Sequence, residues 1–183
     1  MMLKKLYHYR ETPLEKLESL DYSSSDHYLK QPISSKPYGL WVSVEDYEDD
    51  MTWELWCQRE EFYPESLQSK HQVKLKETAR ILHLKTAEEI HEFGFKYRGN
   101  NQDHFDRFVG VACDPYVYLI NWVPVKEAWD GIIIAPYNWE CRIPSETSWY
   151  YGWDCASGCI WNLDCIEEFS LVEQLVTADN LQM

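Results

Sequence analysis

The chain has 183 residues, enough for one domain with a substantial apolar core, and its nine Trp, thirteen Tyr and six Phe exclude disorder as the overall state. A net charge of −14, from 17 Lys+Arg against 31 Asp+Glu, repels a phosphate backbone and argues against sequence-independent nucleic-acid binding. Met1-Met2-Leu3-Lys4-Lys5 carries no long apolar run, and the six cysteines form no CxxC pair and match no common zinc spacing. The expectation is therefore a cytoplasmic protein with reduced thiols, no metal and no membrane span.

In chain order, Leu3–Arg10 reads as a short strand. Thr12-Pro13-Leu14-Glu15 has the form of a capping box with proline in the first turn, predicting a short helix with Leu14, Leu17 and Leu20 on one face. Residues 21–38, rich in serine and proline, read as a surface loop. Tyr38–Val44 is a second strand, and Met51–Phe62 a helix with Asp50 as N-cap and with Trp53 and Trp56 sharing a face. Val73–Leu75 and Ala79–Leu84 alternate as strands do.

Thr86-Ala87-Glu88-Glu89 is a second capping box, opening a helix through Ile90 and Phe93. Arg98–Arg107 is polar and loop-like, and Val117–Val125, broken by Pro124, fits either state. Trp129–Pro136 reads as a buried strand after a tight turn, Trp149–Asn162 as another, and Glu167–Leu175 as a last helix. The elements do not repeat as βαβ units, so the fold class is α+β in a single domain over residues 1–183.

The run Trp149–Asn162 contains one carboxylate, Asp154, among residues that read as buried or half-buried, where an uncompensated charge is expensive. A structural partner such as Arg142, or a chemical role, has to account for it. His8 lies between two tyrosines in the first strand, a position that an ordinary buried histidine also fills. Trp41, Trp53 and Trp56 have the spacing of core aromatics. No P-loop, GxGxxG, HExxH or GxSxG motif is present, and Cys57 has no histidine beside it.

Tyr7-His8-Tyr9, then Gly39-Leu40-Trp41-Val42-Ser43, then Trp56-Cys57, and last Asp154 ahead of Ser157-Gly158-Cys159, occur in this order along the chain. The arrangement resembles the diphtheria-toxin and poly(ADP-ribose)-polymerase branch of the ADP-ribosyltransferases, and the Asp-x-x-x-Gly-Cys pattern is similar to that of small phage ADP-ribosyltransferases that act on bacterial defence proteins. In that family Tyr9 replaces a glycine and Trp41 a tyrosine, and the usual glutamate position falls on Ser157. The resemblance implies a split β-sheet core with short flanking helices and NAD as cosubstrate. It further implies a macromolecular target, protein rather than nucleic acid.

It implies catalytic roles for Asp154, which stabilises cationic charge on the ribose, and for His8, which fixes the ribose. The cofactor-binding set is then His8, Tyr9, Trp41, Ser43, Trp53, Trp56 and Ser157. The acidic charge and the Glu45–Asp50 run support a different class of function beside this one, a non-catalytic interaction protein that docks on a basic partner as an inhibitor or nucleic-acid mimic.

Overall fold

The computed structural model describes residues 5–17, 32–99 and 119–174. Leu20, the part of Arg98–Arg107 beyond residue 99 and the end of the chain after residue 174 lie outside them. The strands are β1 (Leu6–Arg10), β2 (Ile33–Ser34), β3 (Leu40–Val44), β4 (Ser69–Leu75), β5 (Ile81–Leu84), β6 (Ile120–Asn121), β7 (Gly131–Ile134), β8 (Ser157–Ile160) and β9 (Ile166–Gln174). The helices are α1 (Trp53–Glu60), α2 (Ala87–Lys96) and α3 (Trp122–Ala128), joined by short 3₁₀ turns.

Seven strands form one sheet in the order β5-β7-β8-β3-β1-β4-β9, while β2 and β6 pair separately. All neighbours in the large sheet are antiparallel except β5 and β7. The architecture is α+β, with a mostly antiparallel sheet and few helices. β7 and β8, adjacent interior strands, are buried at every position and read as continuous apolar or small-residue runs. Small size matters at Gly158, where a Cβ would stand 2.7 Å from the Ile132 carbonyl oxygen and 2.6 Å from the Ile133 side chain.

Over these strands lies an aromatic core in which Trp122, Trp149, Tyr150 and Trp153 are fully buried. Phe93 of α2 stands 5.2 Å from Trp149 and 5.8 Å from Trp122, ring centre to ring centre. The capping box that opens α2 is complete, with Thr86 Oγ1 accepting from Glu89 N and the Glu89 carboxylate accepting from Thr86 N. The ambiguous stretch resolves into α3, where Pro124 falls in the first turn and no intrahelical N–H is lost.

Four expectations are corrected. Residues 12–17 are not helical, because Leu14 N donates to His71 Nε2 at 3.0 Å and anchors the segment against β4. Helix α1 is capped by Thr52, whose hydroxyl accepts from Leu55 N, while Asp50 accepts from Met51 N and Tyr137 N and ties two loops together. Within Trp149–Asn162 only Ser157–Ile160 is strand; Trp149 and Tyr150 belong to a 3₁₀ segment that inserts its rings into the core.

The expected last helix is strand β9. It completes the ladder of β4 from Leu75↔Ile166 to Ser69↔Gln174, and Phe169 stacks on His71 at 4.9 Å. A partner edge with unmet hydrogen bonds outweighs the weak helical preference of this segment.

Candidate functional site

The sheet is weakest where β1 meets β3. Registered pairing there covers only Leu6↔Val44 and Tyr7↔Ser43, whereas on its other edge β1 pairs with β4 through all five residues. Beyond Tyr7 a side chain replaces the ladder, with His8 Nδ1 lying 2.8 Å from the Trp41 carbonyl oxygen. A carbonyl can only accept, so Nδ1 carries the proton and Nε2 is left as an acceptor. Burial is the main reason that His8 is held neutral, its pKa lowered from 6.5 to about 4.

At this opening lies a cleft of about 360 Å³ lined by Tyr7, His8, Tyr9, Lys36, Trp41, Val42, Ser43, Trp53, Tyr63, Ser66, Asp154, Cys155 and Ser157. That size falls in the range of small-molecule sites. Its roof is held by a clamp between distant segments. Trp53 N donates to Ser43 Oγ at 3.0 Å, Ala156 N to the Met51 carbonyl at 2.7 Å, and Val44 N to the Ala156 carbonyl at 2.8 Å. The start of α1 and the lead-in to β8 are thereby fixed to the end of β3.

Of the residues singled out in the sequence, His8, Tyr9, Trp41, Ser43, Trp53, Asp154 and Ser157 line this cleft, and Trp56 does not. Trp56 stacks behind Trp53 at 5.4 Å and 21°, and Phe62 packs edge-on against both. Trp53 is thus the ring of α1 that faces the cavity, and Trp56 is its backing. Trp41 is engaged by the Lys36 amine, 4.9 Å from the ring centre, and by Trp153 in a T-shaped contact at 4.9 Å.

The two serines are committed within the fold. Ser43 accepts from Trp53 N, and Ser157, opposite it in register, donates to the Cys155 carbonyl at 2.9 Å. Tyr9 donates its hydroxyl to Glu45 at 2.7 Å and to Glu54 at 3.2 Å, and Lys70 bridges the same carboxylates at 3.0 and 3.7 Å. Burial, followed by Glu45, raises the Tyr9 phenol well above its usual range, so it stays a donor to that rim.

Asp154 is bracketed by two cations. Arg142 Nη2 stands 3.4 Å from Asp154 Oδ1, and Arg142 is itself placed by the Tyr137 hydroxyl and the Tyr151 ring. Lys36 approaches from inside the cleft. Burial raises the Asp154 pKa, and Lys36 first, then Arg142, act against it. Burial lowers Lys36, which Asp154 opposes in turn. Cys155 is an inert thiol, pushed up to about 12 by burial.

Lys36 was not among the sequence candidates. It lies in a serine- and proline-rich stretch that reads as surface loop, and only the fold puts its amine on Trp41. Among the described residues no group of three or more His, Cys, Asp or Glu side chains is arranged to hold a metal ion. No helix among them is long and apolar enough to cross a membrane. Comparison of the chain with protein-family models, with curated proteins and with solved structures yields no match.

Proposed function

We propose that the cleft binds NAD and that the protein is an ADP-ribosyltransferase, transferring ADP-ribose to a macromolecular target, protein rather than nucleic acid. The observation that carries this reading is convergence. Residues as far apart in sequence as His8, Ser43, Trp53 and Asp154 line one cavity at the point where pairing between β1 and β3 gives out. That opening is also what supports an ADP-ribosyltransferase type of split sheet. An acidic protein that merely docks on a basic partner requires no such assembly.

NAD would supply an ADP-ribosyl group that gains positive charge as nicotinamide departs. The residues present fit that chemistry. The exposed face of Trp53, backed by Trp56, offers a flat apolar wall for a planar ring. His8 Nε2 accepts from a ribose hydroxyl without needing to titrate. The Asp154 carboxylate, half-buried beside the cavity, sets a fixed negative charge where the cationic ribose develops, and the low local dielectric strengthens it. Ser43 acts by holding α1 and so the Trp53 ring in place.

The test is release of nicotinamide from NAD, with label transfer into a cell lysate. Asp154→Ala is expected to lower turnover by about 10²–10³-fold with the fold intact, and His8→Ala to raise KM. Absence of both nicotinamide release and any NAD-dependent thermal shift in the unmutated protein overturns the proposal.

A further inference from the structure

Among the described residues Lys36 is the one lysine or arginine that lines the cleft. Its stem passes beneath the Gly152 turn, where a Cβ would meet Lys36 Cε at 3.3 Å and Nζ at 3.8 Å. Its amine ends over the Trp41 ring. No hydrogen-bonded or ion-paired acceptor within contact distance holds it among the described residues, so the amine is a cation enclosed by an aromatic face, a glycine turn and the cavity. Arg142 approaches Asp154 at Oδ1 and does not line the cleft. Lys36 shares the cleft lining with Asp154 and lies against Gly152, two residues before it, whereas Arg142 meets the carboxylate from outside the lining.

We propose that Lys36 is a positioning residue: its ammonium, seated on Trp41 under Gly152, is the cleft-side counter-charge that keeps the Asp154 carboxylate anionic and turned toward the cavity. The proposal rests on reading Asp154 as the group that stabilises the ribose cation.

The physical need is plain. A half-buried carboxylate is pressed toward its neutral, useless form, and Glu60 at the end of α1 adds to that pressure. The other titratable groups coupled to Asp154 are Cys57, Cys155 and Tyr137; each is held neutral by burial and supplies no compensating charge. Arg142 is shared with Tyr137 and Tyr151. Lys36 remains as the cleft-lining cation that opposes the effect of burial on Asp154. Gly152 is the conformational requirement, since any larger residue there presses on the Lys36 stem.

The experiment follows the Asp154 carboxyl carbon by NMR across a pH titration in the unmutated protein, Lys36→Met and Lys36→Arg. In Lys36→Met the Asp154 midpoint is expected to rise by about one pH unit, and Lys36→Arg to restore it. The acid limb of NAD cleavage should move by the same amount, with kcat reduced at low pH and KM little changed. Gly152→Val, which displaces the Lys36 stem and keeps the lysine, should raise the midpoint too and serves if Lys36→Met fails to fold. An unchanged Asp154 midpoint in the Lys36 and Gly152 variants overturns the proposal. A shifted midpoint in a protein that never cleaves NAD supports the role of Lys36 and contradicts the transferase reading.

Discussion

His8 is a structural link between β1 and β3, and the proposed function gives the same side chain a ligand-binding role. Its Nδ1–H replaces a missing rung of the β1–β3 ladder, and burial holds the imidazole neutral, which leaves Nε2 free to accept. Between pH 6.5 and about 4 the unfolded chain takes up a proton that folded His8 refuses. Its contribution to stability is therefore complete above pH 6.5 and is lost as pH falls through that window, by about 3 kcal/mol at most. His71 and His83 are lowered by burial as well and add to the same trend. Urea midpoints measured from pH 7 to pH 4 should fall, and His8→Asn should flatten part of the slope. A slope unchanged by that substitution would contradict the neutral assignment.

A second residue-scale case is Asp130, which accepts from Arg80 N at 2.8 Å, from Arg80 Nη2 at 3.0 Å and from Asn162 Nδ2 at 3.0 Å. The Arg80 guanidinium, chiefly, holds its carboxyl down at about 2. Here stability is present above the ordinary aspartate value of 3.8 and is lost as pH falls toward about 2. Asp130→Ala should destabilise the protein by roughly 1–3 kcal/mol, since it removes the acceptor shared by Arg80 N, the Arg80 guanidinium and Asn162 Nδ2. It should leave NAD binding intact, because Asp130 does not line the cleft.

At the scale of elements, α1 and its attachment to β3 decide the shape of the cavity. Thr52→Ala removes the helix cap and should cost about 1 kcal/mol of stability. Ser43→Ala removes the acceptor for Trp53 N and should loosen the ring that faces the cleft, weakening NAD binding more than thermal stability. Trp53→Ala is expected to weaken NAD binding by about tenfold, and Trp56→Ala by less, since Trp56 only backs the stack. Calorimetric titration of the variants checks the order, and a larger loss in Trp56→Ala would contradict the placement of the rings.

The same elements show what was legible in the sequence. The strand Leu40–Val44 and the α2 capping box are local signals, carried by alternation and by Thr86 with Glu89, and both appear in the structure. The segment expected as a last helix is strand because β9 is determined by the open edge of β4, a partner far away in sequence that local pattern does not contain. Trp149 and Tyr150 looked like strand because buried aromatics suit strands, yet they are buried through a 3₁₀ turn. Motif order brings His8, Trp41, Ser43, Trp56 and Asp154 together, and of these Trp56 does not line the cleft. It could not show that Lys36, in a loop-like stretch, closes on Trp41, or that Trp56 stands behind Trp53.

At the scale of the whole molecule, a chain with a net charge of −14 opens a cleft lined by Lys36 at the seam of its large sheet. Overall acidity slows the approach of an anionic dinucleotide, and the local cation offsets it at the site. Salt should therefore raise the association rate of NAD modestly by screening the surface field, whereas binding of a basic docking partner would weaken as salt increases. The proposed function requires the seam between β1 and β3 to be an NAD site. Calorimetric titration of NAD into the unmutated protein and into His8→Ala and Trp53→Ala tests it most directly. Saturable one-to-one binding is expected, weakened by both substitutions while their melting curves stay cooperative. No heat of binding in the unmutated protein, or binding indifferent to both substitutions, would contradict it.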